Sequence, residues 1–305
     1  MSSEGYVDLQ VNGYAGVDFN VDDLSADALH LACERMRADG VANALATIIT
    51  EHVPVMCARI ARLATLRAAD PLVAAMIPAI HVEGPFINES PGYRGAHPAD
   101  AIRPADLDAA KQLVDAGDGL VRLVTLAPER DADLRVTRWL TGHNVRVAAG
   151  HCDPSLDQLT AAIDAGLSLF THLGNGCPMQ LPRHDNIVQR ALSLSDRLWH
   201  CFIADGVHVP PMALRNYLRC AGVDRCVIVS DAMAAAGLGP GRYRLSRWDV
   251  VVGDDLAARA PDGSHLVGAA MSVRQNVAVL TGRLGLTAAQ CRVLTVDNPR
   301  TAVGL

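Results

Sequence analysis

Four side chains in this sequence stand where a hydrolytic site would need them: Glu83, His151, His172 and Asp231. Each ends or directly follows a short apolar run, in His-Val-Glu-Gly-Pro-Phe (81–86), Ala-Gly-His (149–151), Phe-Thr-His-Leu (170–173) and Val-Ser-Asp-Ala-Met (229–233). A lone carboxylate in such a place is usually a cap or an ion-pair partner, and a lone histidine is usually a hydrogen-bonded structural group. Two imidazoles and a carboxylate together are different. They form a two-nitrogen, one-oxygen set with an open position, which suits a catalytic Zn²⁺ or Fe²⁺. Such an ion lowers the pKa of a water it holds to about 7. A facing carboxylate, here Asp231, can then take a proton and later deliver it to a leaving group. The motif Asp-Gly-Val-His (205–208) adds His208, suited to polarising a substrate carbonyl, while Asp205 reads as a turn-former.

The elements that must position these groups follow from periodicity. Short β-branched runs at 6–12, 41–50, 76–83, 121–128, 145–151, 167–172, 199–205 and 226–231 read as strands. Helical patterns lie between them at 25–39, 54–69, 105–116, 131–142, 155–165, 187–195 and 210–221, with further helical pieces at 271–284 and 287–305. Strict alternation of strand and helix implies a parallel sheet. Eight units fit a closed (β/α)₈ barrel of the TIM type, with an open doubly wound sheet as the alternative. The polar strand ends favour the barrel, because closure brings side chains from different strands to one mouth, whereas an open sheet spreads them apart. Residues 242–266, rich in Gly and Asp, read as a loop or small hairpin after the eighth strand.

Bulk composition narrows the function classes. The chain has 305 residues and is expected to form one barrel domain over 1–305. Only 4% of residues are aromatic, so Ala, Val, Leu and Ile must fill the core. A net charge of −6 argues against a nucleic-acid partner. Eight cysteines without a C-x-x-C pair read as free thiols in a reducing compartment. The N-terminal Met-Ser-Ser-Glu-Gly carries no secretion signal, and the apolar stretch 71–82 is too short to span a bilayer, so a cytoplasmic location without a membrane partner is expected.

With these residues in place the chain resembles a known family, the N-acetylglucosamine-6-phosphate deacetylases of the amidohydrolase superfamily. The resemblance rests on Asp-Leu-Gln-Val-Asn-Gly (8–13), the 81–86 motif, Gly-Ala-His-Pro (95–98), Thr-Leu-Ala-Pro-Glu (125–129) and Gly-His (150–151). It continues through Thr-His-Leu-Gly-Asn-Gly (171–176), Ile-Ala-Asp-Gly-Val-His (203–208), Ser-Asp-Ala-Met-Ala-Ala-Ala-Gly (230–237) and Asn-Pro (298–299), in the family's order. It implies Glu83, His151 and His172 as ligands of one divalent metal, Zn²⁺ with Fe²⁺ as alternative, and Asp231 as the acid/base. It implies His208 at the acetyl carbonyl, and Ala96, His97, Asn175, Gly176, Arg183, Leu266, Val267 and Gly268 at the sugar phosphate. Many amidohydrolases carry His-x-His on the first strand and hold two metals. Gln10-Val11-Asn12 stands there in this chain, which resembles the single-metal members. The reach of Arg183's counterpart into a neighbouring subunit implies a homodimer.

Three departures from the family pattern are visible. The small β-sandwich built from residues before and after the barrel is expected to be absent. Gly176 stands where the family usually has Ala, and Gly174 where a larger residue is common. Residues 179–186 differ from the usual Arg-Glu-Pro-Gly segment beside the phosphate site. The implied activity is hydrolysis of an N-acetyl amino sugar, first of all N-acetylglucosamine 6-phosphate. The alternatives are a different acetylated amino sugar, such as an aminoglycoside or nucleoside-sugar precursor, or a non-catalytic sugar-phosphate sensor.

Overall fold

Eight parallel strands close into the expected barrel. The computed structural model describes residues 5–305, so the reading of residues 1–4 as free of a leader lies outside the described residues. The strands are β1 (Tyr6–Val11), β2 (Val41–Ile49), β3 (Ala79–Glu83), β4 (Val121–Leu126), β5 (Arg146–Ala149), β6 (Leu169–Phe170), β7 (Trp199–Ile203) and β8 (Cys226–Val229). They lie side by side in chain order, each pair parallel. The first and last strands meet through a Val11–Ala232 bridge and an Asn12 amide donating to the Ala232 carbonyl at 2.7 Å. An open doubly wound sheet would leave both of these strands as edges or place the first one centrally, so that alternative is excluded.

Strand alternation sorts the apolar residues into two layers. Leu45, Ala79, Leu123, Ala148, Leu169, Ile203 and Val227 form a cluster along one face of the strands, joined by Ala302 and Val303 of the last helix, Asn298–Val303. The opposite face, with Ile48, Val82, Leu126, Phe170, Phe202 and Ile228, packs against helix residues such as Leu29, Met56, Leu113, Leu140, Leu159 and Leu214. The helices begin where polar caps allow. Ser25 accepts from the Ala28 amide ahead of Ala26–Ala38, and Ser155 with Gln158 and Ser272 with Gln275 make reciprocal capping boxes.

Several boundaries differ from the sequence reading. The run 76–83 is not one strand: Met76 ends a short helix, Pro71–Met76, and β3 starts only at Ala79. Asp70 accepts from the Leu72 and Val73 amides, and Pro71 sits in the first turn, a start signal that outweighs the apolar run behind it. The stretch 287–305 is three pieces, Ala288–Arg292, a π-helical Val293–Asp297 and Asn298–Val303. The three follow without a gap, and Pro299, with no amide proton to donate to the preceding turn, accompanies the change to the wider π-helical turn.

The 242–266 region is a three-stranded antiparallel sheet of β9 (Gly241–Leu245), β10 (Trp248–Val252) and β11 (Ala258–Arg259). Arg247, at its first turn, pairs with Glu51 just beyond β2 and with both carboxylate oxygens of Asp100. Its Leu245, Val250 and Val252 pack with Ile49, Met233 and Ala235, so the sheet is seated beside the C-terminal ends of β2 and β8. Among the described residues the only further sheet is a hairpin, Gly13–Tyr14 with Val17–Asp18, and no β-sandwich is present. Among them, too, no helix is long and apolar enough to cross a membrane.

Candidate active site

The strands are shorter than their apolar runs, and the reason lies in the site. Glu83 is the last residue of β3, but His151, His172 and Asp231 each lie two residues past their strand, with φ of 51°, 30° and 52°. A left-handed backbone ends the ladder and turns the side chain away from the strand's alternation. Close backbone packing accompanies it. A Cβ on Gly84 would sit 2.0 Å from Thr50 Oγ1, and one on Gly176 would sit 2.8 Å from His151 Nδ1.

Three ligand atoms converge. Glu83 Oε1 lies 3.2 Å from His151 Nε2 and 2.9 Å from His172 Nε2, and the two nitrogens are 3.2 Å apart. His151 Nδ1 is 2.7 Å from the Tyr93 carbonyl, which can only accept, so Nδ1 carries the proton and Nε2 presents a lone pair. The Gln10 amide donates to Glu83 Oε2 at 3.1 Å and fixes the carboxylate. The His151 Nε2 and Glu83 Oε1 lone pairs face one another at this range and repel unless a proton or a cation lies between them. Ligands 2.0–2.1 Å from a tetrahedral Zn²⁺ would themselves be about 3.3 Å apart. The donor set therefore fits a divalent ion. Burial pushes the Glu83 carboxyl up, but the His151 and His172 imidazoles beside it outweigh burial and hold the group well below the ordinary carboxylate range. For His172, burial favours the neutral ring, and the Glu83 carboxylate more than compensates, raising it.

Glu83 and His151 also share a looser grouping with His97, with one ligand atom apiece within 4.8 Å of one another. His97 Nδ1 donates to Thr50 Oγ1 at 2.7 Å, because that hydroxyl spends its own proton on the Glu83 carbonyl at 3.1 Å. Burial, together with His151, pushes His97 down to about 3, so the ring is neutral. Its edge meets the His151 ring with centroids 4.4 Å apart.

Asp231 faces the trio from beyond β8. Burial first, and then the Glu83 charge, raise its carboxyl to about 6, opposed by His172, His208 and the Asn12 amide that donates to Oδ1 at 2.7 Å. His208 is oriented by Asp205: Nδ1 is 2.6 Å from Asp205 Oδ2, while Asp205 Oδ1 accepts the Val207 and His208 amides. Asp205 is thus the turn-former expected, and it also sets the His208 ring.

The remaining expected contact residues divide. Asn175 bonds back to the His172 carbonyl, Gly176 lies so close to His151 that a side chain there would meet its ring, and Ala96 packs against the cluster that includes Ile49 and Met233. The 266–268 segment runs next to Asp231: the adjoining Ala269 amide donates to its carbonyl at 2.8 Å, and Val267 packs by Met233. Arg183 stands apart, exposed on the 177–186 loop with no ion pair among the described residues. Thr50 and the Tyr93 carbonyl, which orient His97 and His151, gave no signal in the sequence. A threonine just past a strand and a backbone carbonyl carry none.

Comparison with known proteins bears on this geometry. No family model matches the chain. It is 32% identical over 300 residues to the N-acetylgalactosamine-6-phosphate deacetylase of Escherichia coli O157:H7, covering 98% of this chain and 77% of that one. It is also 32% identical over 250 residues to the N-acetylglucosamine-6-phosphate deacetylase of Bacillus subtilis (strain 168), covering 81% of this chain and 62% of the relative. A Mycobacterium smegmatis N-acetyl-D-glucosamine-6-phosphate deacetylase mutant, solved in complex with N-acetyl-D-glucosamine-6-phosphate, superposes with a TM-score of 0.88 at 31% identity. That match covers 99% of this chain and 77% of the solved one.

Proposed function

The chain belongs to the N-acetylglucosamine-6-phosphate deacetylase family, and from that premise we propose that it hydrolyses the acetamide of N-acetylglucosamine 6-phosphate to glucosamine 6-phosphate and acetate. The observation that carries this reading is the convergence of Glu83, His151 and His172 at 2.9–3.2 Å with Asp231 facing them. These three residues would hold one divalent cation, zinc with iron as alternative. When bound, such an ion polarises a carbonyl oxygen and acidifies water.

The chain's own side chains supply the rest. Asp231, ionised, accepts a proton from the attacking water through the carboxylate that Asn12 orients, and returns it to the departing nitrogen. His208, its Nδ1 fixed by Asp205, keeps Nε2 for the acetyl oxygen. His97, Ala96, Asn175, Gly176 and the 266–268 segment line the sugar side, and Arg183 meets the phosphate, reaching it from a neighbouring subunit in a homodimer. The reading includes one barrel domain over 1–305 and a cytoplasmic location.

A second reading, a different acetylated amino sugar, is favoured by the exposed position of Arg183 and by the galactosamine specificity in the name of the Escherichia coli relative. One experiment separates them: acetate release from phosphorylated and unphosphorylated N-acetyl sugars, with metal counted per chain. Turnover confined to N-acetylglucosamine 6-phosphate supports the first reading. Faster turnover of another acetylated sugar selects the second, and a metal-free protein inert to all of them defeats both.

A further inference from the structure

Asp8 has no part in the chemistry above, yet it is 2% exposed and lies at the seam where the barrel closes. We infer that Asp8 and Ser230 form a positioning device that locks the backbone on both sides of Asp231. The inference rests on Asp231 being the proton carrier.

The Asp8 carboxylate reaches across from β1. Its Oδ1 accepts the Ser230 amide at 3.1 Å and the Gln10 amide at 3.3 Å, and its Oδ2 accepts the Ser230 hydroxyl. The same hydroxyl oxygen then accepts the Ala232 amide at 3.0 Å. One Asp–Ser pair therefore holds the amide before Asp231 and the amide after it. Between them Asp231 sits at φ 52°, a conformation that an L-residue holds only where its surroundings impose it. The Asp231 carbonyl is tied separately, accepting from Ala269 at 2.8 Å.

The device also couples Asp231 to the groups that face it. The β1 ladder jumps register between Asp8 and Val11, and in that interval Asp8 binds the amide of Gln10, whose side chain holds Glu83. Two residues on, Asn12 donates to the Asp231 carboxylate and, from its backbone, to the Ala232 carbonyl. A single buried carboxylate thus sets the first strand's amides and the eighth strand's turn in one frame. A purely structural clasp would need only a contact between the two strands. This one brackets the residue that moves the proton.

The test uses the full chain loaded with zinc. Ser230→Ala is expected to lower kcat on the order of 100-fold, as small misplacements of a reacting group do. KM should stay within about threefold, and zinc per chain should be unchanged. Ser230→Thr, which restores the hydroxyl, should recover most of the loss, and Asp8→Asn should fall between. The inference is overturned by Ser230→Ala and Asp8→Asn proteins that both keep wild-type kcat, by a loss that Ser230→Thr does not repair, or by a loss that tracks missing zinc. If the wild-type protein releases no acetate from any acetylated sugar, the deacetylase reading fails by itself, and crystal structures of wild-type and Ser230→Ala protein then decide. Departure of Asp231 from the left-handed region in the variant supports the device, and an unmoved Asp231 overturns it.

Discussion

Glu83 is a buried carboxylate and Asp231 a half-buried one, and their surroundings push them in opposite directions. Glu83 is held by two imidazoles and a glutamine amide, whereas Asp231 has one amide on its carboxylate and the charge of Glu83 nearby. A group that binds the cation and a group that moves a proton should fail differently. Asp231→Asn is expected to lose about 10²–10⁴ in kcat while keeping its metal; Glu83→Gln is expected to lose the metal itself, as counted by elemental analysis. Gly176 supplies a second contrast. Restoring the alanine usual in the family would place a methyl 2.8 Å from His151 Nδ1 at a φ of +62°. Gly176→Ala should therefore displace the His151 ring and weaken zinc affinity, measured by competition with a chelator, by about tenfold or more. An alanine variant that binds zinc as wild type does would show that the loop has room to yield.

At the scale of elements, the strands were legible because alternating burial and β-branched runs leave little choice of register. The candidate ligands were legible because two imidazoles and a carboxylate recur together at the ends of apolar runs, where one alone would have meant little. The short helix Pro71–Met76 was hidden by an apolar run that continues into β3, and the antiparallel sheet over 241–259 by its Gly and Asp content. The hydrogen-bond partners that tune the site, Thr50 and the Tyr93 carbonyl, depend on chain segments far apart in sequence and could not be read locally. β7 offers an element-level test. His200 is fully buried, bonded to Ser195 Oγ at 3.0 Å, with no partner for Nδ1 among the described residues, and burial pushes it down to about 4. The unfolded chain takes up this proton near 6.5 and the folded chain only near 4. The stability this neutral ring confers is complete above about 6.5 and is lost as pH falls toward 4, at most on the order of 3 kcal/mol. His200→Phe should accordingly flatten the fall in melting temperature between pH 7 and 4.5. An unchanged slope would assign the acid sensitivity to other groups.

At the scale of the whole molecule, closure does two things. It abolishes the edges of the parallel sheet, and it brings the ends of β3, β5, β6 and β8 to one mouth beside the small sheet pinned by Arg247. The chain spans 77% of the Escherichia coli relative and 62% of the Bacillus subtilis one. The rim itself is built against the chain's preference. His151, His172 and Asp231 all have backbones that L-residues avoid, and the Glu83 and Asp231 charges are crowded there together. Durability and turnover therefore compete for the same few positions. Without metal, Asp231→Asn should melt a few degrees above the native sequence, since asparagine tolerates this backbone and removes the repulsion between two neighbouring carboxylates. Calorimetry on the two metal-free proteins would show whether the inactivated form is the hardier one, and a lower melting point for the variant would mean that the rim carries no such tension.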